Sequence, residues 1–259
     1  MFVTMLRDVG VTVDSHTRIL DLGCGAGLMV KAGRAHGHDF YGAGYQLYDA
    51  HEPAPQELIS QGVLRQITDP PYRLPFDDGF FDVVISDQVF EHVMDYPGTM
   101  REIHRVLKPG GAFMHVFPSK YSLIEPHVRV PFAGALRARW WMRLWAALGV
   151  RNEFQRKLSA RQASEDSLRY LGTRTNYYGR RQLRRQFAQM FSDVQFVEHA
   201  FLKTSERGRK VHRLSKGLPF LPRLYSMLGN RVVFGRRAPA AQAPSSAAAS
   251  LTLANLRSA

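Results

Sequence analysis

The chain of 259 residues is long enough for one large domain with insertions or for two small ones, and 45% hydrophobic residues suit a globular core. With 35 Lys and Arg against 22 Asp and Glu, the net charge of +13 favours acidic ligands or a plain solvated basic surface. The single cysteine, Cys24, excludes an intramolecular disulfide and a cysteine-based zinc site and fits a reducing, cytoplasmic compartment; no apolar run approaches a membrane span, and the first residues lack a secretory apolar core.

Short apolar runs then alternate with helical patterns. Residues 18–23 (RILDLG) read as a buried strand, 28–37 as a helix and 39–44 (DFYGAG) as a second strand. Residues 48–61 are broken by Pro53 and Pro55 before a short helix, and 63–68 (VLRQIT) form a third strand. Residues 81–87 (FDVVISD) are the fourth and most apolar strand. A helix beginning at Tyr96 is stopped by Lys108-Pro109-Gly110-Gly111, and 112–119 form the fifth strand. Residues 121–176 hold Arg, Trp and helix formers with no clear strand; 177–191 resume as a basic amphipathic helix with Leu183, Phe187 and Met190/Phe191 on one face. Residues 194–202 and 231–237 read as two more strands, and the Ala/Pro/Ser-rich end from Ala238 as disordered. This order predicts an α/β fold with a mostly parallel sheet covered on both faces.

The strongest local signal is Asp21-Leu22-Gly23-Cys24-Gly25-Ala26-Gly27 between the first strand and its helix. Glycines let the backbone turn tightly and approach a ligand, and the helix start offers free N–H groups. Leu28 stands where a dinucleotide fingerprint has its third glycine, and no Gly-Lys-Ser/Thr follows for a phosphate loop. The carboxylate of Asp21 would repel a pyrophosphate and suits a cationic ligand such as an amino group. A glycine turn without a ligand is the bland alternative.

ILDLGCGAG resembles the first motif of the class I S-adenosylmethionine-dependent methyltransferases, of the small-molecule type. LPFDDGFFDVVISDQVFEHV (74–93) and REIHRVLKPGG (101–111) resemble that family's blocks around its fourth strand and before its fifth. The resemblance covers 18–119 in the right order. It implies a Rossmann-like, doubly wound seven-stranded sheet, mostly parallel with the last strand antiparallel, plus a helical insertion. It divides the chain into a cofactor-binding core (1–119), a helical substrate or lid insertion (120–176), the C-terminal part of the core (177–237) and a disordered tail (238–259).

The cofactor it implies is S-adenosylmethionine, with S-adenosylhomocysteine as product. Asp21, Gly23, Cys24, Gly25 and Gly27 would wrap the methionine part. The family's acidic ribose ligand at the end of the second strand falls on Gly44, a departure that leaves Gln46 or Asp49 for that contact. Asp69 matches the residue that meets the adenine amino group. Asp87 and Gln88 should lie against the cofactor, and His92 near the mouth of the site or merely at a helix start.

Asp69-Pro70-Pro71-Tyr72 also resembles the catalytic tetrapeptide of nucleic-acid adenine methyltransferases, in which an aromatic stacks a flipped base. Those enzymes carry it after the fourth strand; here it follows the third, which favours a turn and a cofactor contact. Just past the fifth strand, His127 is a candidate general base with Glu125 orienting it or binding substrate; the alternative is a loop fixed by hydrogen bonds. No metal ligand set is read from the sequence. In 135–149, Leu136, Trp140, Leu144 and Leu148 share a helical face that Trp141 and Trp145 widen, with Arg139 and Arg143 opposite; it is read first as packing on the core and second as touching an anionic membrane. The expected function is methyl transfer to a small-molecule, lipid-linked or glycan acceptor, by a cytoplasmic or membrane-peripheral protein. The alternatives are a nucleic-acid methyltransferase and a non-catalytic binding protein on the same fold.

Overall fold

In the computed structural model, residues 1–48, 53–215, 217, 218 and 220–239 are described; Asp49 and most of the C-terminal tail lie outside them. Seven strands form one sheet in the order β3-β2-β1-β4-β5-β7-β6. They are β1 (Arg18–Leu22), β2 (Asp39–Gly44), β3 (Leu64–Gln66), β4 (Phe81–Asp87), β5 (Leu107–Pro118), β6 (Ser192–Phe196) and β7 (Asn230–Arg236). β1 to β5 pair in parallel, and β7 runs antiparallel between β5 and β6. The expected sheet, with its last strand reversed, is the one observed.

β4 reads as a near-continuous apolar run because both of its faces are covered. One face packs with α1 (Phe2–Asp8) and α2 (Leu28–Ala35), where Met5, Leu6, Val30, Val83 and Ile85 join one cluster. The other carries α4 (Tyr96–Val106), where Leu20, Val84, Tyr96, Met100 and Phe113 join a second. α3 is the short helix Gln56–Ser60. The Lys108-Pro109-Gly110-Gly111 stop works as expected, but inside a strand. α4 ends at Val106, β5 begins at Leu107, and the register beside β4 slips between Phe81 and Val83.

Residues 120–176 hold α5 (Arg139–Ala147), a 3₁₀ turn (Glu153–Gln155) and α6 (Ala160–Arg174), with a small core of Val128, Val130, Met142 and Leu171 that Tyr177 joins from just beyond. α6 starts at a capping box, Ser159 accepting from the Gln162 amide. The apolar face read for the Trp-rich helix is corrected here. α5 buries Met142 and Ala146 and tucks Trp141 and Trp145 against the same core, while Trp140, Leu144 and Leu148 stay exposed. The Trp141 indole N–H donates to the Pro131 carbonyl at 2.8 Å, which fixes that rotation.

After α6, α7 (Arg180–Phe187) buries Leu183 and Phe187 as the spacing predicted. Arg180 on its polar side lies 4.4 Å from the centre of the Phe196 ring. The strand read over 194–202 ends early: β6 stops at Phe196 and α8 (Glu198–Thr204) follows. Buried Glu198, Phe201 and Leu202 sit at helical spacing, and Glu198 pairs with Arg231 of β7 at 3.1 Å in the interior. α9 (Glu206–Ser215) and α10 (Leu221–Leu228) lead into β7.

Glu198 and Arg231 are 7% and 6% exposed, so removing one leaves the other charged and uncompensated. Arg231→Met should lower stability by about 3–5 kcal/mol in urea unfolding, and adding Glu198→Leu should restore much of it.

Candidate active site

Apart from Asp49, which lies outside the described residues, the cofactor-side residues singled out from the sequence sit at the carboxyl ends of β1 to β4 or in the loops that leave them. The chain order reverses between β1 and β4, which opens a crevice at those ends.

From β1, Asp21 points into the interior at 3% exposure, and the turn continues through Gly23, Gly25 and Gly27 at φ of +79°, +51° and +76°. The Gly23 amide donates to the Ala43 carbonyl at 2.6 Å, tying the loop to β2. A Cβ on Gly23 would lie 2.3 Å from Val89 of the β4 loop; one on Gly25 would meet nothing closer than the Tyr48 carbonyl at 3.8 Å. The first glycine thus closes a packed junction, and the second leaves open space above the loop. Burial first, and the Asp21 charge second, push the Cys24 thiol up to about 12, so it stays a thiol and no nucleophile.

At the end of β2, a Cβ on Gly44 would sit 3.0 Å from the Gln46 carbonyl, so the family's carboxylate has no room there without a shift. Instead the Tyr45 hydroxyl donates to Asp69 at 3.1 Å, bringing the β3 loop to the end of β2. Asp69-Pro70-Pro71-Tyr72 follows β3 at the side of the crevice, and β4 ends in Asp87-Gln88. Gln88 takes φ of +56° and its amide donates to Val116 at 2.8 Å.

Three carboxyls line the crevice with their affinity for protons raised. Burial lifts Asp21 to about 7, aided by the charge of Asp87; burial also raises Asp87; and Glu91, 1% exposed, is lifted to about 7, chiefly by burial. Neither oxygen of Glu91 has a hydrogen-bond partner among the described residues. Glu91 was assigned no role from sequence; its signal was a place beside His92 at the end of the 74–93 block.

Glu125 behaves differently. It is buried, yet it accepts from His127 Nδ1 (2.7 Å), the Tyr177 hydroxyl (2.7 Å) and the amides of His127 (2.8 Å) and Val128 (2.7 Å). Burial pushes its carboxyl up, but these bonds outweigh that and hold it below the usual range. Burial pulls His127 down, and the bond and charge of Glu125, with the charge of Glu91, more than offset it. The ring of His127 lies 4.7 Å from that of His92, whose Nδ1 donates to the Arg174 carbonyl at 2.7 Å. Tyr177 and Arg174 were not singled out in the sequence, because only the fold returns the far end of the insertion to Glu125 and His92.

The model of the methyltransferase-domain family matches residues 20–115. Demethylmenaquinone methyltransferase of Symbiobacterium thermophilum is 32% identical over 123 residues, covering 39% of this chain and 43% of the relative. The 2-phytyl-1,4-naphtoquinone methyltransferase of Nostoc punctiforme is 33% identical over 96 residues, 35% of this chain and 42% of the relative. The chain thus spans less than half the length of these curated relatives. A Haemonchus contortus phosphoethanolamine N-methyltransferase 2 superimposes with a TM-score of 0.50 at 16% identity, over 91% of this chain and 52% of that one. That likeness is one of fold.

Glu125 and His127 stabilise each other within a definite pH window. The lowered Glu125 contributes above its ordinary 4.5 and loses this as pH falls through its depressed value; the raised His127 contributes below 6.5 and loses it as pH rises through its elevated value. Glu125→Gln should therefore cost about 1.5–3 kcal/mol. The loss should be fullest between pH 4.5 and 6.5, and the His127 midpoint followed by NMR should move down.

Proposed function

We propose that this chain, a member of the class I S-adenosylmethionine-dependent methyltransferase family through its residues 20–115, moves a methyl group from S-adenosylmethionine to a small-molecule acceptor. The observation that carries this reading is Asp21, a carboxyl buried to 3% exposure beneath an open glycine turn at the crevice. Such a group asks for a cation, and the donor's amino group is one. Bound there, the donor supplies an activated methyl for in-line displacement.

The residues divide the work along the crevice. Asp21 and the turn from Gly23 to Gly27 hold the amino-acid end, with Cys24 contributing its backbone. The Tyr45–Asp69 pair and Gln46, beside Gly44, take the nucleoside end in place of the missing carboxylate. Asp87 and Gln88 border the centre. On the acceptor side Glu125 pins the Nδ1–H of His127 and leaves Nε2 as the atom that faces an acceptor's proton. A cleft of about 750 Å³ lined by Gln88, Pro118, Ser122, Ile124 and Pro126 adjoins this side, room for a small or lipid-linked acceptor. The tetrapeptide at Asp69 sits beside Tyr45 and off β4, so it lends no support to a nucleic-acid acceptor.

Calorimetry with S-adenosylhomocysteine tests the reading. Binding should tighten as pH rises through about 7 and should release protons, because the cation selects the ionised form of Asp21. Asp21→Asn should lose about 1.5–3 kcal/mol of affinity. No binding at millimolar ligand would overturn the proposal, and binding without transfer of labelled methyl into any extract fraction would leave a binding protein.

A lipid-linked acceptor has its own support. Trp140, Leu148 and Phe154 are 64%, 66% and 84% exposed, with Arg139 and Arg143 on the same helix as Trp140. Trp and Arg together suit an anionic bilayer surface, and among the described residues no helix is long and apolar enough to cross a membrane. The chain should sediment with vesicles rich in phosphatidylglycerol and not with pure phosphatidylcholine. Trp140→Ser with Leu148→Ser should abolish the difference.

A further inference from the structure

We propose that Glu91, His92 and His127 form a binding site for a divalent first-row transition-metal ion on the acceptor side of the crevice. The existence of the site stands on geometry alone; its part in catalysis rests on the methyl-transfer reading above.

One donor atom from each of the three residues lies within 4.8 Å of the other two. Metal–ligand bonds of about 2.0–2.2 Å put neighbouring donors roughly 3–3.5 Å apart, so modest side-chain rotation closes the set. Both oxygens of Glu91 are buried and without a hydrogen bond among the described residues. A carboxylate is not buried unpaired unless something compensates it, and the two imidazoles beside it do not do so by hydrogen bonding.

The imidazoles are set up as ligands. The Arg174 carbonyl can only accept, so His92 Nδ1 carries the proton at 2.7 Å from it and Nε2 is left with a lone pair. His127 Nδ1 donates to Glu125 in the same way, also at 2.7 Å. A carboxylate or carbonyl behind each imidazole is what orients metal-bound histidines and raises their basicity. These groups are themselves held: the Tyr177 hydroxyl donates to Glu125 at 2.7 Å, and the Asn176 backbone amide donates to the Glu91 carbonyl at 2.7 Å.

Two imidazoles and one carboxylate match zinc, manganese, iron or cobalt better than calcium or magnesium. Three protein donors leave open positions, and exposed His92 puts them toward the crevice. An acceptor with a hydroxyl or enol oxygen fits there, since the ion would ease loss of its proton to water at the open side before that oxygen takes the methyl and the donor's carbon–sulfur bond breaks. His127 would then act on that proton through the ion and not by taking it. The substrate class becomes narrower: an oxygen acceptor, not an amine.

Cobalt(II) titration of the chelator-stripped full chain tests the proposal, with S-adenosylhomocysteine calorimetry on the same sample. Expected are a stoichiometric visible d–d spectrum and two paramagnetically shifted, exchangeable imidazole N–H signals. His92→Ala, His127→Ala and Glu91→Gln should each abolish the spectrum while the nucleoside product still binds; Glu125→Gln should weaken cobalt about 10–100-fold. Wild-type chain that binds the nucleoside product but gives no cobalt spectrum, or shows no shifted imidazole signals, overturns the site. So does a spectrum that survives in a folded His92→Ala/His127→Ala chain. Loss of nucleoside binding alone, with cobalt bound, would sink the methyl-transfer reading and leave the metal site standing.

Discussion

Val89 fills the space that a side chain on Gly23 would need, and this contact locks the β1 loop to the β4 loop. The two loops depart from adjacent parallel strands on either side of the point where strand order reverses. On the far side of β1, the Ala43 carbonyl takes the amides of both Gly23 and Cys24, and Cys24 Sγ lies against Gly42. The turn is thus held from β2 and β4 at once. Only residues without a Cβ satisfy both neighbours, which is why glycines recur there at positive φ while Gly25 keeps its open side.

The crevice so framed is acidic although the chain carries a net charge of +13. Its carboxyls fall into two kinds. Glu125 is saturated with donors and stays ionised; Asp21 and Glu91, buried, and Asp87, half-buried, have too little compensation and resist ionisation. The charge of Asp87 acts on both Asp21 and Glu91, so the uncompensated groups form one electrostatic string from the glycine turn to His127. A cation arriving at either end removes a desolvation cost that the folded chain otherwise bears. Buried negative charge that is costly without a ligand marks where the ligand goes.

Much of this was legible because the signals are local. A glycine turn after an apolar strand, a long apolar β4 and a Pro-Gly-Gly stop each reflect constraints of their own few residues, and the sheet follows from their order. Three things were not local. α8 was mistaken for strand because VEHAFL is as apolar as β6, and the choice is made by Glu198 reaching Arg231 across the sheet. On α5 the flank of the expected face, Trp141 and Trp145, packs on the core while its centre, Trp140, Leu144 and Leu148, stays exposed, since Trp141 answers to the Pro131 carbonyl. Glu91 sits in the 74–93 block without a role of its own, and only packing shows that its carboxyl is buried without a hydrogen bond among the described residues.

The insertion joins the crevice at both of its ends. Its start supplies Glu125 and His127; its end supplies Arg174 and Asn176, with Tyr177 just beyond it, and these hold His92, the Glu91 backbone and Glu125 in turn. Asn176 also donates to the Val93 carbonyl at 3.1 Å, so the β4 loop is clasped from beyond His92 as well. Everything between these ends, α5 and α6 included, packs on its own small core around Met142 and Leu171. The shape of that middle can therefore change while the clasp on residues 91–93 and the packing of the Gly23 turn keep their geometry. On the proposed reading, holding a donor is separate from choosing an acceptor, and the β4 loop is where the two parts meet.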